Sequence, residues 1–421
     1  MTAALDTYLD QLAAHAELHG VIAVFADGAP LAQRVFGLAD SQGTVRNEID
    51  SRFRVGSLSK SFTAAAILTL AQQGRLDLAD PVARHLPECG LDPRITLHQL
   101  LRHRGGLGNH TALPDYRSTL MQTPQTPETL IRRVAAAPLL AEPGDAPHYS
   151  NTGYLALACV AERVSDQPFH ALLHTLFWRP LGLSQTGAMA TATTRGHQLL
   201  PQRPHALSLD PGVAFGAYDL AASAGDLARW WLALNEGAVL DARHTALMLG
   251  GPAGDFGCGW WLDELVVDGQ RWRSVGHMGD VNGYTAMLLG LPARRTCAVV
   301  LFNTASTPAL ATARRVLGLA LGETWPAYPP AIAATAPWAS ARYRDGAGAQ
   351  MQLDAEHGWL DRARDYGAPC RYRIRPHADN GSVQYWRADS FDERLELYRD
   401  GGLRVIAPDG ATRDYVRETA R

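Results

Sequence analysis

A serine and a lysine three positions apart, in Gly56-Ser57-Leu58-Ser59-Lys60-Ser61-Phe62, have the types and spacing to make a nucleophile and its base. Of the 39 lysines and arginines in the 421 residues, Lys60 is the only lysine. Arginine keeps its proton in a protein, whereas burial and neighbouring charge can strip a lysine of it. A chain that uses arginine wherever a cation has only to pair or dissolve thus keeps lysine where a base is wanted. The bland alternative is a surface lysine that escaped an arginine-rich composition. Serine is a weak nucleophile and needs a base beside it. For the amine to be half neutral at pH 7 its pKa must fall by about 3.4 units, roughly 4.6 kcal/mol. Burial together with cationic neighbours is the expected means.

Two other stretches carry chemistry. Tyr149-Ser150-Asn151 stands in a Pro- and Gly-containing loop, Glu142 to Tyr154, that opens onto a helix pattern. A phenol held between cations can shuttle a proton, and a carboxamide can hold a substrate amide by donor and acceptor together. The bland reading of the same residues is a capped turn. His277-Met278-Gly279 precedes an apolar strand pattern at Tyr284 to Leu289, and its glycine permits close backbone approach. A second His-x-Gly, His103-Arg104-Gly105, ends a helix pattern with no strand after it, so His277 is preferred. Trp230, Trp231, Trp260 and Trp261 are read as core, with an apolar acyl pocket as the alternative.

The elements that must hold these residues are legible in outline. Met1 to Gly20 reads as an amphipathic helix, and Val21–Phe25 and Leu31–Gly37 as strands around an Asp27-Gly28 turn. Ser59 to Gln73 reads as a helix stopped by Gly74, which places Ser57 at its start and Lys60 on the same face. The helix N-terminus adds a field that favours developing negative charge. Residues 80–245 carry mostly helical patterns, strands return at Tyr284–Leu289 and Thr296–Phe302, and a helix follows at Ala309–Leu321. A Pro-rich linker at 324–337 then separates residues 1–323 from a small all-β barrel or sandwich at 338–421. The expected fold class is α/β, an antiparallel sheet flanked by helices with a large helical insertion, plus a C-terminal all-β barrel-like domain.

With 46% apolar and 19% charged residues and a net charge of −3, the chain is expected to be soluble and globular. No basic block points to nucleic acid or to a membrane surface, so neither is an expected partner. Five scattered cysteines without a CxxC, and the absence of a signal-peptide pattern near Met1, point to a cytoplasmic protein. No metal or nucleotide motif is present, and no cofactor is expected.

Taken in order, Ser57-x-x-Lys60, Tyr149-Ser150-Asn151 and His277-x-Gly279 resemble the three motifs of the serine β-lactamase and penicillin-binding-protein superfamily, in its class C-like branch. The flanks agree, among them Phe53-Arg54-Val55-Gly56, Leu76 to Val82, Ile95 to Leu101 and Gly259-Trp260-Trp261, so that the resemblance covers about residues 5 to 320. It implies Ser57 as the acylated nucleophile, Lys60 and Tyr149 as proton-handling partners and Asn151 as the substrate amide clamp. His277 stands where many members have lysine, with Gly279 beside it. The backbone N–H groups of Ser57 and Asp280 would form the oxyanion hole.

Two departures stand out. Met278 lacks the hydroxyl of the Lys-Thr-Gly or His-Thr-Gly motif, leaving His277 as at best a partial cation. Arg102-His103-Arg104-Gly105-Gly106 stands where relatives usually carry Thr-His-Thr-Ser-Gly. Both weaken β-lactam hydrolysis and cleavage beside a free C-terminus. The resemblance therefore implies a hydrolase or acyltransferase acting through an acyl-enzyme on a peptidic amide, ester or thioester, with a D-configured acyl residue. Water or an amine would resolve it. The single C-terminal β module is similar to the lipocalin-like domain of penicillin-binding-protein-type thioesterases that cyclise nonribosomal peptides from a carrier-bound thioester. D-aminopeptidases, amidases and esterases are the alternative, and a non-catalytic binding protein is the contrasting class.

Overall fold

The computed structural model describes residues 2–15, 18–40, 43–197, 208–304, 309–324, 340–363, 369–388, 393–407 and 410–418. At its centre is a seven-stranded antiparallel sheet. From one edge its strands run Ala29–Phe36, Gly20–Ala26, Thr296–Phe302, Tyr284–Leu291, Gln270–Val281, Trp261–Val267 and Asp255–Phe256. Tyr284–Leu291 and Thr296–Phe302 are buried along their whole length. A strand covered on both faces reads as a continuous apolar run rather than an alternating one. On one face Ile22, Val24, Val300, Met287 and Leu289 pack against the helices Thr2–His15 and Ala309–Ala320. On the other, Val21, Ala23, Leu288, Val299 and Leu301 pack against the helical part between residues 56 and 249.

The helix Ser59–Gln72 lies within that second core, every residue from Ser59 to Leu70 buried. A helix apolar or small on all sides belongs inside a protein. It is pinned by Phe62, whose ring stacks on Trp230 at 4.1 Å, and by the Trp230 indole N–H, which donates to Ser61 Oγ at 3.0 Å. Trp231, one residue on, presses on Gly290 of the sheet, where an added Cβ would come within 2.1 Å of the indole. The helix Ala224–Asn235 therefore wedges between the central helix and the sheet, and Trp230, Trp231 and Trp260 are core residues. A second, three-stranded sheet of Phe53–Arg54, Leu220–Ala222 and Gly187–Ala188 was not evident in the sequence. It ties the chain just before Ser57 to the 217–222 segment through Val55 N–H to Leu220 O at 3.0 Å.

The eight strands from Ala341–Asp345 to Thr412–Arg417 form a closed meander barrel, the first pairing with the last at Tyr343↔Arg417. Inward positions alternate with outward ones, and Tyr343, Leu353, Leu360, Tyr372, Trp386, Leu397 and Val405 fill the interior. Eight strands enclose a space that side chains can fill, and closure leaves no unpaired edge. The last helix of the larger part ends at Ala320, and Ala311 on it packs against the barrel core. The expected linker, apart from Thr324, lies outside the described residues.

The strand Gln270–Val281 was not anticipated as such, and it matters: His277-Met278-Gly279 sits within it rather than in a loop before the next strand. No helix among the described residues is long and apolar enough to cross a membrane. Trp230→Ala should cost about 3–5 kcal/mol, the range for deleting a buried large aromatic. That is measurable as a lower urea midpoint, and a change below 1 kcal/mol would refute its wedging role.

Candidate active site

Between Val55 and Lys60 every residue is buried except Ser57, which is partly open. The segment turns through a short 3₁₀ helix, Gly56–Leu58, directly into Ser59–Gln72, so Ser57 stands at the start of the buried helix as the spacing predicts. Ser59 Oγ donates to Gly56 O at 2.7 Å and accepts from Leu220 N–H at 3.1 Å, locking the turn to the small sheet. Gly56 has φ +55°, and a Cβ there would lie 2.8 Å from the Asp280 nitrogen. A Cβ on Gly279 would meet Val55 O at 1.9 Å. The two glycines let strand and turn touch backbone to backbone, which brings the Asp280 N–H beside the Gly56-Ser57 turn.

Lys60 is fully buried, and three polar atoms surround its nitrogen. These are Asn151 Oδ1 at 2.7 Å, Ala217 O at 2.8 Å and Ser57 Oγ at 2.9 Å. The first two can only accept, and the third is a hydroxyl. A neutral amine has two N–H donors and one lone pair, so this set fits it: both N–H groups are taken, and the lone pair is left for the serine proton. Burial pushes Lys60 well below its ordinary value, with the charge of Asp219 pulling the other way. The expected help from cationic neighbours is absent among the described residues; burial alone does it. Asp219 is itself buried and paired with His170, Nε2 to Oδ2 at 2.8 Å. The rings of Tyr149, Tyr154 and Tyr218 have centroids 4.9, 5.5 and 5.8 Å from the amine.

Tyr149 donates its hydroxyl to Ser57 Oγ at 2.8 Å. Burial pushes this phenol up, so it holds its proton; the expectation of a phenol between cations is replaced by a neutral donor. Asn151 opens the helix Asn151–Ser165, capped by Ser150, whose Oγ accepts from Gly153 N–H at 3.2 Å. Because Lys60 holds Asn151 Oδ1, the carboxamide has only its Nδ2 end, 3.5 Å from Thr111 Oγ1, to offer a substrate.

His277 is buried, its ring 4.9 Å from that of Trp261 and 6.1 Å from that of Tyr149. Its Nδ1 lies 2.6 Å from Met278 O, an atom that can only accept, so Nδ1 carries the proton and Nε2 a bare lone pair. Burial, with Lys60 close by, pushes His277 down to about 3. It is a neutral acceptor and not the partial cation expected. Met278 packs on the far face of the sheet against the core that holds the two outer helices, so its side chain was never the one to meet a substrate carboxylate.

His103, set aside in the sequence, lies at the site. Its ring is 4.4 Å from that of Tyr149 and 4.9 Å from that of Phe256. The signal was present in Arg102-His103-Arg104, where the histidine is the one element kept from the pattern of relatives. The flanking arginines both bond Asp255, Arg104 at 2.9 Å and Arg102 at 3.3 Å, so one carboxylate is shared by both guanidinium groups and offsets one of their two charges. Trp261, unlike the other three tryptophans, is half-buried and borders the site beside His277. Among the described residues no His, Cys, Asp and Glu cluster could hold a metal ion.

A family model described as Beta-lactamase matches residues 5–322. The esterase EstB of Burkholderia gladioli is 33% identical over 46% of this chain and 53% of its own length. The D-alanyl-D-alanine-carboxypeptidase/endopeptidase AmpH of Escherichia coli K12 is 26% identical over 54% and 60%. The chain thus spans little more than half the length of these curated relatives. Among solved structures, an octameric penicillin-binding protein homologue from Pyrococcus abyssi matches 98% of this chain and 99% of its own at TM-score 0.66 and 21% identity. A D-stereospecific amidohydrolase from Streptomyces matches 71% and 94% at TM-score 0.61 and 25% identity.

Two outcomes follow from this geometry. Gly279→Ala must push strand and turn apart, and should cost about 1–3 kcal/mol as overpacking does; a urea midpoint equal to the wild type would refute the close approach. His277 is neutral when folded and titrates near its usual value of about 6.5 when unfolded. As pH falls from about 6.5 towards 3 the unfolded state takes a proton that the folded state refuses, so stability is lost over that window. Between pH 7 and 4.5 the wild type should lose about 2–3 kcal/mol more than His277→Asn. Equal losses in urea titrations would refute the buried neutral ring.

Proposed function

The chain belongs to the beta-lactamase family, and from that premise we propose that it is a serine hydrolase or acyltransferase that works through an acyl-enzyme on Ser57. The observation that carries this reading is the Ser57 oxygen, held at 2.9 Å by a buried amine and at 2.8 Å by a protonated phenol. Lys60 takes the serine proton as Oγ attacks the carbonyl; as the tetrahedral adduct collapses the Tyr149 phenol gives its proton to the leaving group and recovers one from the Lys60 ammonium, so both groups end neutral. The N–H groups of Ser57 and Asp280 hold the oxyanion; one such donor is typically worth ~10²–10³ in rate. Asn151 Nδ2 meets the acyl-side amide.

Neutral His277 favours substrates without a free carboxylate beside the scissile bond, which we read as peptidic amides, esters or thioesters, with the D-configured acyl residue that the family resemblance implies. This reading places β-lactamase and carboxypeptidase activity behind amidase and esterase activity. The single closed C-terminal barrel favours the thioesterase reading, in which an amine of the same peptide resolves the acyl-enzyme and releases a ring from a carrier. Hydrolysis by water, as a D-aminopeptidase, amidase or esterase, is the second reading, and the names of the relatives favour it. A cytoplasmic site of action fits the buried, protonated thiols of Cys89 and Cys258, which burial raises to about 11 and about 12.

The test presents the purified protein with D- and L-aminoacyl amides, a short-chain ester, a β-lactam and a linear peptidyl thioester. Adducts and products are read by mass, separating hydrolysis from cyclisation. No covalent adduct with any donor, or an adduct that persists in Ser57→Ala, would reject the acyl-enzyme. Lys60→Arg keeps the charge but cannot act as a base, and should lose acylation by ~10²–10⁴. Because the amine of Lys60 is depressed and the phenol of Tyr149 raised, the rate should climb with pH below the ordinary lysine range and show no tyrosine limb beneath pH 10. Near-normal turnover in Lys60→Arg would overturn its role.

A further inference from the structure

The turn from Arg102 to His110 is laced to the loop that carries Tyr149 and Asn151. Leu140 N–H donates to Gly106 O at 2.8 Å, Gly144 N–H to Arg104 O at 2.8 Å and His148 N–H to His103 O at 2.7 Å. Beyond them Ser150 Oγ donates to Gly108 O at 2.7 Å, and Asn151 N–H to Asn109 Oδ1 at 3.3 Å. Within this lacing one side chain touches the phenol. The His103 ring lies 4.4 Å from the Tyr149 ring at an angle of 34°, and His103 Nδ1 accepts the Ser150 N–H at 3.2 Å.

His103 sits at φ +57°, a left-handed conformation that glycine adopts without cost and a histidine does not. A costly residue held in such a conformation beside a reactive group marks a side chain that the site uses. Because Nδ1 accepts an N–H, it cannot carry a proton, and the imidazole must be neutral to do this. Burial keeps it so, and a proton on Lys60 or His277 would oppose a second one here. A cation here would break the Ser150 bond and repel a protonated Lys60.

We infer that His103 is a positioning residue for Tyr149, fixing the phenol against Ser57 by packing on its ring at a tilt and by holding the following peptide through Nδ1. This rests on the Ser57–Lys60–Tyr149 reading above, and acts on one member of it. The three-atom distance from Tyr149 hydroxyl to Ser57 Oγ to Lys60 Nζ is set by where that ring lies. Phe256 meets the imidazole edge-on at 4.9 Å and Tyr154 packs on it at 5.1 Å, so three aromatic rings crowd the imidazole.

The full-length protein would be assayed with p-nitrophenyl acetate as acyl donor. The variants are His103→Phe, which keeps a ring but cannot accept, His103→Asn, which accepts an N–H and tolerates left-handed backbone, and Tyr149→Phe, alone and combined with each. His103→Phe should lower kcat by about 10- to 100-fold, the scale of a misplaced reacting group. KM should stay within about twofold, as expected when ground-state binding is intact. His103→Asn should lie closer to wild type, and neither change should lower kcat further in the Tyr149→Phe background. A rise in KM at constant kcat, or an equal loss with and without the Tyr149 hydroxyl, would overturn the proposal. If Tyr149→Phe keeps full kcat, the proton-relay reading fails and this one with it. If Tyr149→Phe loses activity while both His103 variants keep it, only the positioning role fails. Should His103→Phe not fold, His103→Gly, which suits the left-handed backbone and removes both ring and acceptor, carries the same cycle with the same expected loss.

Discussion

An amine with no access to water governs this site. Placing an ammonium in a protein interior costs several kcal/mol unless a counter-charge and hydrogen bonds meet it. Around Lys60 the protein instead provides what a neutral amine needs: two acceptors, a hydroxyl and the faces of three tyrosines. The neighbouring groups keep to the same condition. His103 and His277 are themselves buried and neutral, so neither adds charge beside the amine. The carboxylate of Asp219, which would draw a proton back onto Lys60, is bound by His170. The phenol of Tyr149 keeps its proton for the same reason that the amine loses its own: burial disfavours the charged form of each.

A second constraint is backbone contact without side chains. Past Gly276 the strand Gln270–Val281 has lost its Trp261–Val267 neighbour, since their pairing ends at Trp261↔Gly276. The bare edge of residues 277–281 is covered by the Val55–Ser57 turn, and that contact exists only because Gly56 and Gly279 lack a Cβ. Ser57 at the start of a buried helix and the N–H of a sheet edge are thus brought together by two positions where any larger residue would hold them apart. On the opposite side, the 102–110 turn and the 140–151 loop supply tyrosine and asparagine as one laced unit.

Much of this could be read from the chain. The helix Ser59–Gln72, the paired strands 20–36 and 284–302, and the helix Ala309–Ala320 have patterns dictated by local burial. The strand Trp261–Val267 was hidden by Asp263 and Glu264 at its middle, and Gln270–Val281 by its polar, exposed start, where Arg271 and Arg273 alternate with Trp272 and Ser274. Missing them left the strand that carries His277 unread, and with it the fact that the Met278 side chain faces the outer-helix core. His103 was passed over because the ring it packs on lies 46 positions away in the chain, and the kept histidine of Arg102-His103-Arg104 does not say which ring that is.

Sequence by itself determined which atoms could react. A lone lysine three residues after a serine, a Tyr-x-Asn and a His-x-Gly are statements about residue type and spacing, and type and spacing are what a sequence contains. It also determined the alternation of sheet, helical insertion and barrel, because burial imprints its period on the chain. Only the tertiary structure decided the charge each group carries. Whether Lys60 is a base, His277 a cation or Tyr149 a phenolate depends on desolvation and on partners from residues 57, 103, 151, 217 and 219. Those are energies of position, set by segments that meet only when the sheet, the buried helix and the laced loop have folded together.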